Sequence, residues 1–314
     1  MKKIAYLGIP GSYSYIAANK YFGKEIKMKS CNNIKDVFNQ VESCETNFGI
    51  VPLENSSTGS LLETYDHLVN SRLSITGEII LKIHLHLLVC RGTKTIKKVK
   101  LHGLTPMTSP LAGFRNGAKP CTECHSSPLL RTGHSGTWIN IYSHPQAFMQ
   151  CKDFLFDKHL SSHFYSTDTA SAAMLVARHQ RRNEAAIASK TAAEIYGLIP
   201  LYRNIEDIRS NFTRFVILKR KNIQTGSKIS LAFSISHAPG SLYKALEPYA
   251  LNNLNLSKIE SRPIFGKPWE YIFFLDFEID NPEFNLESFL SNIKEHTNFM
   301  KFLGRYDKGE MYES

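Results

Sequence analysis

The sequence predicts an α/β chain in two parts, a wound domain of two lobes over residues 1–220 and a smaller βαββαβ unit over residues 228–306. Three observations carry this. Apolar strands alternate with helical stretches through the first 220 residues, the grammar of a wound α/β domain. The pattern then changes, from Lys228 onward, to strand, helix, two strands, helix, strand. Between them, Asn222 to Ser227 is polar and glycine-containing, a natural linker.

In the first part, helices are expected over 14–22, 33–43, 61–70, 145–156, 170–179 and 190–196. The apolar stretch Glu78 to Val89 leaves the first α/β unit, and Ala185 to Ser189 reads as the returning strand, so that a double crossing builds two lobes around a cleft. Four strands run into short loops of glycine and hydroxyl residues and then into helices: Ile4–Leu7 into Gly8–Ser14, Phe48–Leu53 into Glu54–Ser60, Ile141–Tyr142 into Ser143–Gln146, and Phe164–Tyr165 into Ser166–Ser171. The first N–H groups of a helix lack partners and carry the positive end of its dipole, so carboxylates and phosphates settle there. Ser, Thr and Asn at one such junction are also ordinary helix caps. Four junctions together point to a small, multiply charged ligand.

In the second part the expected elements are strand 229–237, helix 241–251, strands 254–260 and 271–278, helix 286–297 and strand 300–306, a ferredoxin-like sandwich.

Composition narrows the function classes. Of 314 residues, 42% are hydrophobic and 21% charged, with 38 Lys and Arg against 28 Asp and Glu. The resulting +10 suits an acidic ligand, but the charge is scattered. The two dense patches, Lys94 to Lys100 and Arg178 to Arg182, lack interleaved stacking aromatics and read as solvated faces, so no nucleic-acid partner is expected. Met1-Lys2-Lys3 precedes an apolar run cut short by Gly8, Pro10 and Gly11, and Ile75–Cys90 is broken by Glu78, Lys82, His84 and His86. No signal peptide, no membrane partner and a cytoplasmic location are therefore expected, with the six cysteines as reduced thiols.

Residues 101–140 depart from this grammar: five Gly, four Pro and nine Ser or Thr leave little to bury and no period, so a surface insertion is expected. Inside it, Cys121-Thr-Glu-Cys124-His125 has the spacing of a c-type haem attachment and offers three zinc ligands, with His134 or His102 as a fourth. The absence of an export signal argues against haem, and the unpaired fourth ligand argues against zinc. No metal and no cofactor are expected.

The junction residues resemble a known family. Gly49-Ile-Val-Pro-Leu-Glu-Asn-Ser-Ser-Thr-Gly59, Ser143-His-Pro-Gln146 and Asn211-Phe-Thr-Arg-Phe215 resemble, in order, the three signatures of the prephenate dehydratases. Pro239-Gly240-Ser241-Leu242 and Glu260-Ser261-Arg262-Pro263 resemble the phenylalanine-binding motifs of the ACT domain fused to those enzymes. Ser241 stands where family members commonly carry alanine. The resemblance implies conversion of prephenate to phenylpyruvate with loss of water and carbon dioxide, on a two-lobed fold like the periplasmic binding proteins. It implies an L-phenylalanine effector and, through paired ACT domains, a homodimer or homotetramer.

Carried over by position, Thr213 is the residue tied most closely to catalysis, acting on the leaving hydroxyl. Asn55, Ser143 and Gln150 contact substrate, with Ser12, Glu54, Ser56 and Thr169 completing the pocket. Thr is a feeble acid, so Thr213 acts by orientation and charge stabilisation or relays a proton, for which Glu54 is one source and a structural brace the other reading. Arg214 either pairs bidentately with a substrate carboxylate or braces a buried acid. His144 reads as capping or packing rather than as an acid, and Phe212, Phe215 and Val216 as core. The motifs do not distinguish prephenate from its amino analogue arogenate. An inactive amino-acid sensor, disabled by the insertion, is the alternative from outside the enzymes.

Overall fold

The computed structural model describes residues 1–23, 25–93, 139–160, 162–220, 225–264, 266–267, 269–281 and 283–314. The expected insertion, including Cys121, Cys124 and His125, lies outside these residues except at its end, where Ile139 is buried and Asn140 opens a strand.

The first lobe runs β1 (Lys2–Leu7), α1 (Tyr13–Phe22), β2 (Ile26–Cys31), α2 (Ile34–Glu42), β3 (Phe48–Asn55), β4 (Gly59–Ser60), α3 (Leu62–Asn70) and β5 (Ser74–Lys82). The second holds β6 (His86–Val89), β7 (Asn140–Ser143), α4 (Pro145–Gln150), α5 (Lys152–Asp157), β8 (His163–Tyr165), α6 (Thr169–His179), β9 (Glu184–Ala188), α7 (Lys190–Tyr196) and β10 (Ile199–Tyr202). The chain then returns through β11 (Phe212–Lys219), which inserts antiparallel between β3 and β5. The first sheet has the order β16-β5-β11-β3-β1-β2 and the second β10-β6-β9-β7-β8.

The expected return at 185–189 is corrected: β9 is fully buried between β6 and β7 inside the second sheet. The return is made instead by residues 203–211, which lie alongside the outgoing crossing 83–85, with Ile205 N donating to Leu85 O and Ile83 N to Asn211 O, both at 2.8 Å. Composition misled here because an all-apolar strand looks the same in either sheet. The single expected helix over 145–156 is two, because Cys151 leaves helical dihedrals (φ −122°, ψ 22°) and its N–H closes a tighter turn on Phe148 O.

The last unit is β12 (Lys228–Ser234), α8 (Ser241–Leu251), β13 (Asn255–Pro263), β14 (Tyr271–Glu278), α9 (Leu286–Glu295) and β15 (Phe299–Tyr306), with antiparallel sheet order β13-β14-β12-β15, the ferredoxin-like arrangement. One face of this sheet carries α8 and α9 over a core of Ile229, Leu231, Phe233, Leu275 and Phe277. The other packs on the first lobe, where Ala232, Phe274, Leu303 and Tyr306 share a core with Leu73, Ile75, Val216 and Leu218. The approach is close: a Cβ on Gly304 would lie 2.0 Å from Ile75 O, so only glycine fits. One strand was not foreseen. Beyond β15 the chain returns to the first sheet as β16 (Met311–Glu313), parallel to β5.

Candidate active site

The site is built on the pairing of β3 with β11, which places Thr213 opposite Asn55. Asn55 is buried and acts as a hub. Its amide nitrogen shares two hydrogens among three acceptors, Thr213 Oγ1 at 2.9 Å, Asn211 Oδ1 at 2.8 Å and Phe212 O at 3.1 Å. Its oxygen accepts from Ser57 N at 3.0 Å, Ser57 Oγ at 2.6 Å and Thr58 N at 3.1 Å. Since Thr213 Oγ1 accepts from Asn55, the hydroxyl keeps its own proton to donate elsewhere. Gln150 Nε2 donates to Ser57 Oγ at 3.0 Å and Gln146 Nε2 to Thr58 Oγ1 at 2.5 Å, tying the second lobe to the first across the cleft.

Thr213 and Asn55 open into a cavity of about 240 Å³ between the lobes. Its polar lining includes Ser12, Tyr13, Asn32, His144, Gln146, Gln150, Asp168 and Thr169, and its apolar walls include Leu61, Ile83, Leu85 and Phe215. Three helix starts border it. Ser12 caps α1, His144 caps α4 and Asp168 caps α6, each accepting from a backbone N–H of the first turn. No Lys or Arg lines the cavity among the described residues. The groups there that could favour an anion are helix ends and neutral donors, set against the carboxylate of Asp168 in the same lining.

Burial lowers the His144 pKa, with Asp168 pulling the other way. Its Nδ1 accepts from Gln146 N at 3.2 Å, so the neutral ring carries its proton on Nε2. Tyr13 donates to His84 O at 2.7 Å, and burial raises its pKa far above the ordinary tyrosine value.

Of the residues singled out in the sequence, Ser12, Asn55, Gln150, Thr169 and Thr213 line the cavity, and Ser143, Glu54, Ser56 and Arg214 do not. Ser143 is fully buried and donates to Ile187 O at 2.7 Å, because the cap of α4 is the next residue, His144. Ser56 binds the return segment, donating to Ser210 O at 2.9 Å and accepting from Phe212 N at 2.8 Å. Glu54 and Arg214 point to the opposite face of the sheet and pair there, Arg214 Nη1 to Glu54 at 3.3 Å and Lys258 Nζ to Glu54 at 2.5 Å. Of the two readings of Arg214, the brace is the one observed. Phe215, read as core, is buried and also lines the cavity. The junction after β3 is corrected too: Asn55 leads into β4, and α3 begins at Leu62 without a side-chain cap. Asn32, Tyr13 and Asp168 were missed. Asp168 was legible as a cap, three residues before Ser171, whose N–H it accepts at 2.8 Å.

The effector motifs are split. Gly240, Ser241 and Leu242 line a second cavity of about 250 Å³ with His237, Trp269 and Glu270. Gly240 caps α8 at φ 81°, a conformation that favours glycine. Pro239 and residues 260–263 do not line it. Glu260 contacts Ser60 and Lys258, and Arg262 pairs with Asp66 at 2.6 Å, both facing the first lobe, whereas Ser261 and Pro263 are exposed.

A curated relative from Aquifex aeolicus, a bifunctional chorismate mutase/prephenate dehydratase, is 34% identical over 313 residues, covering 99% of this chain and 75% of the relative. Arogenate dehydratase 2 from Petunia hybrida is 33% identical, covering 97% of this chain and 71% of its own length. The solved prephenate dehydratase of Arthrobacter aurescens in complex with L-Phe superposes with a TM-score of 0.76 at 22% identity, covering 98% of this chain and 90% of that one, and shows the shared fold. The prephenate dehydratase family model matches residues 4–104 and 129–223, leaving 105–128 unmatched within the expected insertion; the chain belongs to this family and is a dehydratase.

Proposed function

We propose that the chain converts prephenate to phenylpyruvate, water and carbon dioxide, with Thr213 acting at the departing ring hydroxyl. The observation that carries this reading is the Asn55–Thr213 hydrogen bond at the floor of the cleft, which leaves the Thr213 proton free to point into the cavity. As the bond to the ring carboxylate breaks, its electron pair flows through the ring and expels the hydroxyl, which takes up a proton and leaves as water. Thr213 donates a hydrogen bond to that oxygen as negative charge grows on it. Loss of one such donor costs about 10²–10³-fold in kcat. The α1 and α6 starts, at Ser12 and Thr169, hold the pyruvyl carboxylate that survives the reaction. Gln146 and Gln150 orient the substrate from the second lobe. Glu54 is a poor proton source, since it pairs with Arg214 and Lys258 away from the cavity. His144 is the better placed titratable group.

Arogenate is the second reading, favoured by Asp168, a carboxylate lining the cavity where an amino group would find a partner. For regulation, the cavity at Gly240 and Ser241 takes the amino-acid end of L-phenylalanine, the C-terminal unit serves as an ACT domain, and the exposed face of β13 at Ser261 and Pro263 completes the site from a neighbouring subunit of a dimer or tetramer. The four cysteines among the described residues are unpaired, as fits the cytoplasm.

The test is phenylpyruvate formation from prephenate, and phenylalanine formation from arogenate, by the purified chain with and without added phenylalanine. Turnover of prephenate that phenylalanine suppresses is expected. Turnover of arogenate alone would replace the substrate, and no turnover of either by folded protein would leave a sensor.

A further inference from the structure

Thr213 and Arg214 are adjacent on β11 and face opposite ways, one into the cleft and one into the contact with the last sheet. Every guanidinium nitrogen of Arg214 is occupied there. Nε donates to Glu78 at 2.6 Å, Nη1 to Asp276 at 2.6 Å and to Glu54, and Nη2 to Tyr306 Oη at 2.8 Å. Glu78 lies on β5, whereas Asp276 and Tyr306 belong to β14 and β15 of the last unit. Lys228 on β12 donates to both oxygens of Glu78 at 3.1 Å, and Ser230 donates to Asp276. Arg214, Glu78, Lys228 and Asp276 are each buried, and their two positive and two negative charges balance. A buried ion cluster of this kind stabilises little over an apolar packing of equal volume. What it supplies is fixed geometry.

We propose that Asp276 is a positioning residue for the dehydration: by holding Arg214 it fixes the β11 backbone at Thr213, so the last sheet sets how Thr213 meets its substrate. The inference rests on the assignment of Thr213 to the reaction. The local backbone makes the link sensitive. Between Arg214 and Phe215 the pairing with β3 shifts register, Arg214 lying opposite Glu54 and Phe215 opposite Pro52, so Leu53 is an extra residue in β3. A bulge of this kind bends the strand and re-aims its neighbours. The ladder to β3 is therefore irregular beside Thr213, while that to β5 keeps its register from Phe212 to Ile217, so the Arg214 side chain is a second anchor for β11 on the side where the bulge falls. A displacement of about 1 Å at a reacting group costs on the order of 100-fold in rate. Burial alone would raise the Asp276 pKa, but Arg214, Lys228 and Ser230 bring it below the ordinary value, so the anchor stays charged at neutral pH.

The experiment is a double-mutant cycle on the full chain, with kcat and KM for prephenate measured for Asp276→Asn, Thr213→Ala and the pair. Asp276→Asn is expected to lower kcat about 10-fold with KM changed less than about 2-fold, and to cost less than about 2-fold further once Thr213 is already Ala. Equal losses of kcat in both backgrounds, or a loss appearing in KM alone, would overturn the proposal while leaving Thr213 in place. Unchanged turnover in Thr213→Ala would sink the assignment of Thr213 and the inference with it. Tyr306→Phe removes one Arg214 contact and no charge, and carries the same cycle if Asp276→Asn fails to fold. Its expected loss in kcat is about 3-fold, again vanishing in the Thr213→Ala background.

Discussion

The two faces of β11 hold their ligands by opposite means. Toward the cleft, Thr213 meets an amide hub and a cavity lined by hydroxyls, amides and helix starts, with no Lys or Arg among the described lining residues. Toward the last sheet, one residue further on, Arg214 lies in a buried cluster with Glu78, Asp276 and Lys228. Under the proposed reaction the cleft would release a charged product at every turnover, and neutral donors would hold an anion without trapping it. The rear contact never turns over, so full charges can be matched there for good. The basic side chain of a signature motif therefore need not be the one that lines the cleft.

The comparison breaks most severely if its shared strand loses the rear charge. Arg214→Ala leaves Glu78 and Asp276 buried with partners missing, and should destabilise the protein by about 3–5 kcal/mol in urea unfolding. A loss below about 1 kcal/mol would mean water enters the contact and the cluster is not dry.

Acid should separate the two faces by pH. Asp276 has a lowered folded pKa, because burial, which raises it, is outweighed by Arg214, Lys228 and Ser230 together, so its contribution is complete above the ordinary carboxylate value and is lost as pH falls through the folded one. His144 is also lowered, by burial, but for a histidine this favours the neutral form. The unfolded chain then takes up the proton first, so stability starts to drop as pH falls below about 6.5. Unfolding measured from pH 8 to 3 should show a shallow first loss that His144→Gln reduces, the rest belonging to His86, which burial also lowers, and a steeper later one that Asp276→Asn flattens. A single step unaffected by either variant would show that other groups govern acid stability.

The smallest effect is expected at the edge of the same sheet, where Glu313 bonds His84 at 2.6 Å and Lys82 at 3.1 Å but is largely exposed. Glu313→Gln should change stability by no more than about 1 kcal/mol, read from the urea midpoint. A larger loss would make β16 a principal part of the sheet.

The elements that stand out in the sequence are those whose local signals agree with their surroundings. Asn33 caps α2 and accepts from Asp36 N at 2.7 Å, and the helix buries Ile34, Val37, Phe38 and Val41 on one face. Thr213 and Asn55 were found through the resemblance of their two motifs to the family's signatures, and the structure sets them opposite each other on neighbouring strands. What stayed hidden depends on contacts distant in sequence. Strand alternation alone indicates that Thr213 and Arg214 face apart, but it is Glu78 and Asp276, 136 and 62 residues away from Arg214, that with Lys228 make the rear face ionic. Ser143 and His144 both precede a helix, and which one caps it is decided by the buried carbonyl of Ile187 that claims the serine. β16 is three residues long, too short to carry a period.

That short strand changes what kind of body the last unit is. The chain enters the unit from β11 and leaves it into β16, and both are strands of the one first sheet. The unit is therefore a closed loop of polypeptide sewn at both ends into a common edge-to-edge fabric. Such a loop cannot swing out on one tether, and with both ends held beside their partners the local concentration of each for its site stays high. A regulatory signal from the ferredoxin-like sheet to the cleft would then travel as shifts of ångströms through packed side chains rather than as the arrival and departure of a domain.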